Sequence, residues 1–326
     1  MIVALTGVYP EGTYESFREK LPADIELLKI DTPEKYEALD RADAMILRVF
    51  RAETPDVIER IKGLKMISRW GVGYDSVDVQ TASRLGIMVT NTPGSNAYAV
   101  AEHTVLLMLA VCHHLVEHYA FTSKGEWSNK AFLETTRTLN NAKVGLIGGG
   151  NIGRQVAKRV QAFGASVQYF DPFRLSEEME KQHNMTFVSL DELFATSDFI
   201  SVHAPLTDEN YHLIGEEAIA KMKPGAIVIN TARGGLVDEA ALIKAIDEGR
   251  IAGAGVDCIE HMPLTAEEPL LGRGNLIVTP HVGGTSNDIA SATIPMLVDT
   301  IMDLYRGDKV MFVVNKTALA EAGYQL

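Results

Sequence analysis

Apolar residues in the first hundred positions fall into short runs separated by longer amphipathic stretches. MIVALTG, IELLKI, AMILRV, KMISRW and IMVTN have the length and composition of strands. Between them, EGTYESFREKL, TPEKYEALDRA, TPDVIERIKG and SVDVQTASRLG read as helices, several with Thr or Ser near the start as a cap. Such alternation implies a parallel sheet covered on both faces. After NTPGS one long helical pattern, NAYAVAEHTVLLMLAVCHHLVEHYAF, runs to about Gly125, long enough to bridge two domains, and TTRTLNNA reads as a polar connector. A second series begins at Lys143, with strands KVGLIG, SVQYFD, FISVHA, AIVINTA, AGAGVD and LIVTP. It looks complete by itself, so the closing helix around 286–306 and the apolar VMFVVN are expected to return to the first domain. The expected fold class is α/β, with two doubly wound parallel-sheet domains: 1–98 plus 286–326, and 99–285.

Composition narrows the picture by exclusion. The 326 residues allow two domains, and 46% hydrophobic with 22% charged residues is ordinary for globular proteins. A formal net charge of −13 argues against nucleic acid or an anionic membrane as partner, though local cations can still line a cleft for an anionic substrate. No apolar run reaches the length of a membrane span, and MIVALTGVYP lacks the layout of a signal peptide. Cys112 and Cys258 lie far apart and form no CxxC, so a reduced, cytoplasmic protein is expected.

Chemistry first shows in VGLIGGGNIG, where Gly148, Gly150 and Gly153 have G-x-G-x-x-G spacing between a strand and a helix. In a dinucleotide-binding turn, Gly148 makes the tight bend, Gly150 admits a pyrophosphate, and Gly153 lets helix and strand pack closely. The confirming acid, about 20 residues on, is Asp171 at the end of SVQYFD. A carboxylate there binds ribose hydroxyls and repels a 2′-phosphate, which favours NAD over NADP. Three more segments end strands of this series: SVHAPL, NTARGG and TPHVGG. They bring Arg233 and His281 to the edge where open α/β sheets place ligands. Histidine suits removal of a hydroxyl proton as hydride leaves carbon, and arginine's planar fork suits the neighbouring carboxylate.

These segments, with RWGVGYDSVD, NTPGSNAYAVAEHT, HAPLTDENYHLI and NTARGGLVDEAAL, resemble the NAD-dependent D-isomer-specific 2-hydroxyacid dehydrogenases over nearly the whole chain. The layout is close to the catalytic portion of D-3-phosphoglycerate dehydrogenases. With the sequence ending at residue 326, feedback control by an appended domain is not expected. The resemblance implies a flavodoxin-like substrate domain (1–98 plus 286–326), a Rossmann-like NAD domain (99–285), an active site between them, and a homodimer. It implies Arg233 as the substrate-binding catalytic arginine and His281 as the acid/base. It further implies Gly71, Val72 and Gly73 as the loop holding the substrate carboxylate, and Asn151 and Ile152 as pyrophosphate contacts. Thr231, Ala232, Asp257, Gly283 and Gly284 fall where the family contacts nicotinamide, Ala204 near the adenine side, and Thr104 on the long helix beside the cofactor.

One position departs from the family. Its pattern D-V-x-x-x-E-P supplies a glutamate that pairs with the catalytic histidine; here DCIEHMP puts Met262 at that place. A carboxylate raises the histidine pKa and orients its ring, and methionine does neither. Glu260 and the run Glu267–Glu268 are the nearby candidates to replace it. Arg48 matches a phosphate-binding arginine of phosphoglycerate dehydrogenases, with Arg51 and Arg69 as further cations, so a phosphorylated or dicarboxylic hydroxy acid is one reading, and a glyoxylate or hydroxypyruvate reductase stays open beside it. A non-catalytic NAD(H)-sensing protein of the same fold is the alternative of a different class. His113, His114 and His118 give an i, i+4 pair without a third ligand type, and are read as exposed or interface residues rather than a metal site.

Overall fold

The computed structural model describes residues 1–48 and 55–324, so Arg51 lies outside the described residues. The chain divides into two compact units, Met1–Asn96 with Ser286–Leu326, and Ala97–Thr285.

The first unit carries strands β1 (Ile2–Thr6), β2 (Glu26–Ile30), β3 (Ala44–Leu47), β4 (Met66–Arg69) and β5 (Met88–Thr90). They pair in parallel in the order β2-β1-β3-β4-β5, so the connections reverse direction between β1 and β3, which opens a crevice at their carboxyl ends. Gly7 and Arg48 stand at that crevice. A Cβ on Gly7 would lie 2.3 Å from the Arg48 carbonyl oxygen, and its φ is +111°, so only glycine fits. The helix Ile289–Arg306 buries Ile294, Leu297 and Ile301 with Phe17, Val3 and Leu5 in one core cluster, which ties the end of the chain to its beginning. TPEKYEALDRA forms a 3-10 helix, Pro33–Arg41. VMFVVN pairs through an isolated bridge, Thr90 to Val313, buries Val310 and Val313 in the same core, and bonds the backbone of Val89 and Ile87 through Asn315.

The second unit holds β6 (Lys143–Ile147), β7 (Ser166–Phe170), β8 (Thr186–Phe187), β9 (Phe199–Val202), β10 (Ile227–Asn230), β11 (Gly253–Val256) and β12 (Leu276–Val278). All pairs are parallel, in the order β12-β11-β10-β9-β6-β7-β8. Strand β8 has no signature in the sequence, because its two residues carry no periodicity. The four buried positions of β9 and of β10 reflect a sheet covered on both faces, one by the cluster around Leu242 and Leu236, the other by the cluster around Met108 and Val156. The two-domain α/β expectation is borne out.

The long helical pattern is two helices, Ala97–Cys112 and Leu115–Ser123, bent by 64°. His114 turns the corner in the left-handed region, φ 52°. Its ring is fixed by Glu117 at 3.0 Å and the Thr135 hydroxyl at 3.1 Å, and stacks on Phe132 at 4.3 Å. These tertiary contacts supply what the local apolar periodicity could not foretell. His118 packs edge-on against the same Phe132, and no metal-binding group of three side chains occurs among the described residues. Among them, too, no single helix is long and apolar enough to cross a membrane.

Candidate active site

In the second unit the strand order reverses between β6 and β9, and the glycine-rich turn leaves β6 at that point. Gly148 has φ +111°, and a Cβ there would sit 2.8 Å from the His203 carbonyl group on the far side of the crevice. A Cβ on Gly153 would lie 2.2 Å from the Gly148 carbonyl oxygen, whereas one on Gly150 meets nothing within 4 Å. Two glycines are thus required by packing, and the third leaves the mouth of the crevice open. Gly150 caps the helix Asn151–Ala162, whose first N–H groups have no preceding turn to bond. Asn151 is exposed and Ile152 half-buried on that first turn. Asp171, just past β7, accepts from Gly149 N–H at 2.8 Å and from Phe173 N–H at 2.9 Å, so acid and glycine turn are one assembly. Across the crevice, burial pushes the His203 imidazole down to about 3, which keeps it neutral; Ala204 follows it, half-buried. These residues fit a dinucleotide with its phosphates at the helix start.

Arg233 answers to a different local design. The buried Asn230 at the end of β10 accepts from Ala232 N–H at 3.0 Å and donates to the Arg233 carbonyl at 2.8 Å, folding the chain back on itself. Arg233 is extended, φ −143°, with Nη1 donating to the Ala232 carbonyl at 2.7 Å. The next residue must be glycine: a Cβ on Gly234 would lie 2.1 Å from the Ile259 carbonyl carbon. Thr231 meets Thr104 hydroxyl to hydroxyl at 2.9 Å, and because Thr104 donates to the Val100 carbonyl at 2.8 Å, Thr231 is the donor of the pair.

Asp257, 2% exposed, organises the turn after β12. Oδ1 accepts from the Thr279 hydroxyl at 2.6 Å and from Val282 N–H at 2.9 Å, and Oδ2 accepts from Gly283 N–H at 2.8 Å. His103 Nε2 stands 3.4 Å from Oδ1 and 2.9 Å from the Thr279 oxygen. Burial pushes this carboxyl up, but the hydrogen bonds from His103, Thr279 and the two backbone amides outweigh it and hold it at about 2. His281 is exposed, in the left-handed region at φ 54°, and its N–H bonds the carbonyls of Asp257 and Thr279. Gly283 packs its bare Cα face against the His103 ring, where a Cβ would come within 3.3 Å, and Gly284 follows half-buried.

Glu260 does not stand idle as a replacement for the missing glutamate. It accepts from the Tyr211 hydroxyl at 3.1 Å and pairs closely with His212 Nε2, while its own N–H donates to Glu239 at 2.8 Å. Burial, with the Glu260 charge adding to it, raises the Glu239 carboxyl. Met262 is 52% exposed. His103, His212 and Asn230 went unassigned in the sequence; each lies in or beside a quoted motif, and only their partners, remote in the chain, mark them.

In the first unit, Arg48 donates from Nη1 to the Val8 carbonyl at 2.5 Å. The buried Arg69 donates to the carbonyls of Leu47 and Gly73. In the loop after β4, Gly71 N–H is taken by the Thr92 hydroxyl at 2.9 Å, and the Val72 carbonyl by the Asn91 amide. Among the anion-holding N–H groups implied for Gly71–Gly73, the first is therefore spent inside the protein.

A glycine turn at a switch point, with an arginine beyond β10 and a histidine beyond β12 at the same sheet edge, fits a dinucleotide-dependent oxidoreductase. Residues 105–283 match the family model for the D-isomer specific 2-hydroxyacid dehydrogenase, NAD binding domain. The chain is 41% identical over 271 residues to a hydroxypyruvate reductase of Thermotoga maritima, covering 82% of this chain and 86% of that one. It is 39% identical over 282 residues to a D-3-phosphoglycerate dehydrogenase of Methanocaldococcus jannaschii, covering 86% of this chain but only 53% of that longer one. Its fold superposes on a glyoxylate reductase of Paecilomyes thermophila with a TM-score of 0.85 at 27% identity, over 97% of this chain and 99% of the other. The chain belongs to the D-isomer-specific 2-hydroxyacid dehydrogenase family, and its cofactor is NAD.

Proposed function

We propose that this enzyme reduces small unphosphorylated 2-keto acids, hydroxypyruvate and glyoxylate first among them, to the D-2-hydroxy acids. The observation that carries the chemistry is the emergence of Arg233 and His281 from strand ends of the sheet that bears the glycine turn. Arg233 holds the substrate carboxylate, and His281 delivers a proton to the keto oxygen. Bound NADH supplies the hydride. Gly148, Gly150, Gly153, Asn151 and Ile152 take the pyrophosphate, Asp171 the ribose hydroxyls, and Ala204 the adenine side. Thr104, Thr231, Ala232, Asp257, Gly283 and Gly284 surround the nicotinamide. In the unit of Met1–Asn96 with Ser286–Leu326, which we read as the substrate-binding domain, Val72 and Gly73 offer N–H groups to a carboxylate.

The unphosphorylated reading is supported by the relative of similar length and by Arg69, which is turned to main-chain carbonyls. Arg48, at the β1/β3 crevice with a guanidinium of five donors, favours a second reading in which the acid carries a phosphate. Exposed Leu115, Val116, Tyr119, Trp127 and Leu133 support a homodimer, and two buried thiols support a cytoplasmic location.

NADH oxidation by the purified protein against hydroxypyruvate, glyoxylate, 3-phosphohydroxypyruvate, pyruvate, phenylpyruvate and 2-oxoglutarate, with NADPH as control, tests this reading. Hydroxypyruvate or glyoxylate is expected to give the highest kcat/KM, with turnover lost in Arg233→Ala and His281→Ala. A preference for 3-phosphohydroxypyruvate that disappears in Arg48→Ala would establish the second reading instead. NADH binding without turnover of any acid would mean a sensor.

A further inference from the structure

The helix Ala97–Cys112 sends consecutive side chains to three strand ends: Thr104 to Thr231 after β10, and His103 to Thr279 after β12 and Asp257 after β11. The direction of each hydrogen bond at His103 follows from counting protons. Thr279 has one hydroxyl hydrogen, and at 2.6 Å it goes to the Asp257 carboxylate, which can only accept. The Thr279 oxygen must then accept from His103, so His103 Nε2 carries a hydrogen and donates it. Asp257 in turn accepts from Val282 and Gly283 N–H, and the carbonyls of Asp257 and Thr279 both accept from His281 N–H. The turn that forces His281 into a left-handed backbone is therefore wound around Asp257 and Thr279, and His103 closes the network from the helix side. A left-handed non-glycine residue persists only where its surroundings determine it from several sides.

We propose that His103 is a positioning residue for His281: its Nε2–H, donated to Thr279 and Asp257, holds the turn from which His281 projects. His103 lies behind the turn and acts through it. Its 14% side-chain exposure and the close approach of Gly283 to its ring leave the imidazole little freedom to do anything else. This inference rests on the reading of His281 as the proton donor.

The test compares His103→Leu, His103→Gln and His103→Asn in the full chain, with kcat and KM for the best keto acid, NADH affinity by fluorescence and Tm. Glutamine places an amide nitrogen where Nε2 stood; asparagine places one near Nδ1 and cannot reach. Leu and Asn variants are expected to lose kcat by roughly tenfold to a hundredfold, the scale of small misplacement of a reacting group. NADH affinity should fall by a smaller factor than kcat, since the turn meets only the nicotinamide end and the glycine loop that takes the pyrophosphate is undisturbed. The Gln variant should recover most of kcat. Equal kcat in the Gln and Asn variants, or a Leu variant within about twofold of the parent, would overturn the proposal, and the Gln–Asn comparison decides even if the Leu variant fails to fold. His281→Ala separates the two readings. If it stays active, the proton-donor assignment fails; if it is dead while the His103 variants are normal, only the positioning role fails.

Discussion

Asn230, Gly234 and Asp257 do for Arg233 and His281 what those side chains cannot do for themselves. They fold each strand end so that the residue proposed for chemistry leaves the sheet in one backbone conformation. The carboxylate that family members place at 262 is replaced here by an exposed methionine, and Glu260 is committed to Tyr211 and His212. On the proposed reading, His281 donates the proton of keto-acid reduction with a methionine, not a glutamate, at position 262. Keto-acid reduction needs the imidazole protonated, so its rate falls as pH rises through the histidine's titration. A carboxylate beside it favours the charged form and moves that fall upward. Met262→Glu is therefore expected to shift the alkaline limb of the kcat/KM profile to higher pH. An unchanged limb would show that position 262 does not reach the histidine.

At the scale of elements, the helix Ala97–Cys112 sits low on β10 and β11 because β11 is built from glycine at the two positions beneath it. A Cβ on Gly255 would come 2.8 Å from Leu107 Cβ, and one on Gly253 would come 2.9 Å from Val111 Cγ1. This close approach lets His103 and Thr104 reach the strand ends. Gly255→Ala should force helix and sheet apart at a cost of about 1–3 kcal/mol. The fall in Tm should come with a kcat lowered beyond what lost folded protein explains. Gly63→Ala, whose added methyl has no neighbour nearer than 3.8 Å, is the control expected to change little. The helix itself was legible from its apolar periodicity. Its break at His114 was not, because Glu117, Thr135 and Phe132 hold a residue in a conformation that helical spacing cannot signal.

For the whole molecule, the contiguous run Ala97–Thr285 carries its own sheet and two core clusters, while the first unit is closed by the returning helix Ile289–Arg306. Residues 97–285 produced alone are expected to unfold cooperatively and to bind NADH with an affinity near that of the full chain. They should turn over no keto acid, because Val72 and Gly73, proposed to hold the substrate carboxylate, are absent. Loss of NADH binding in a folded fragment, measured by fluorescence titration, would mean that residues of the other unit hold the cofactor.

The strand–helix alternation, the glycine spacing with Asp171 and the arginine and histidine after apolar strands are local patterns. The chain by itself therefore determined the α/β class, the dinucleotide turn and the two residues proposed for chemistry. The order of the strands in each sheet, the short β8, the corner at His114, the loss of the Gly71 N–H to Thr92 and the pairing of Glu260 with His212 all depend on partners distant in sequence. So does the network from His103 to the His281 turn, which joins residues 176 positions apart. Hydrogen-bond partners of that kind are chosen by packing after the chain has folded, so only the tertiary structure decided them.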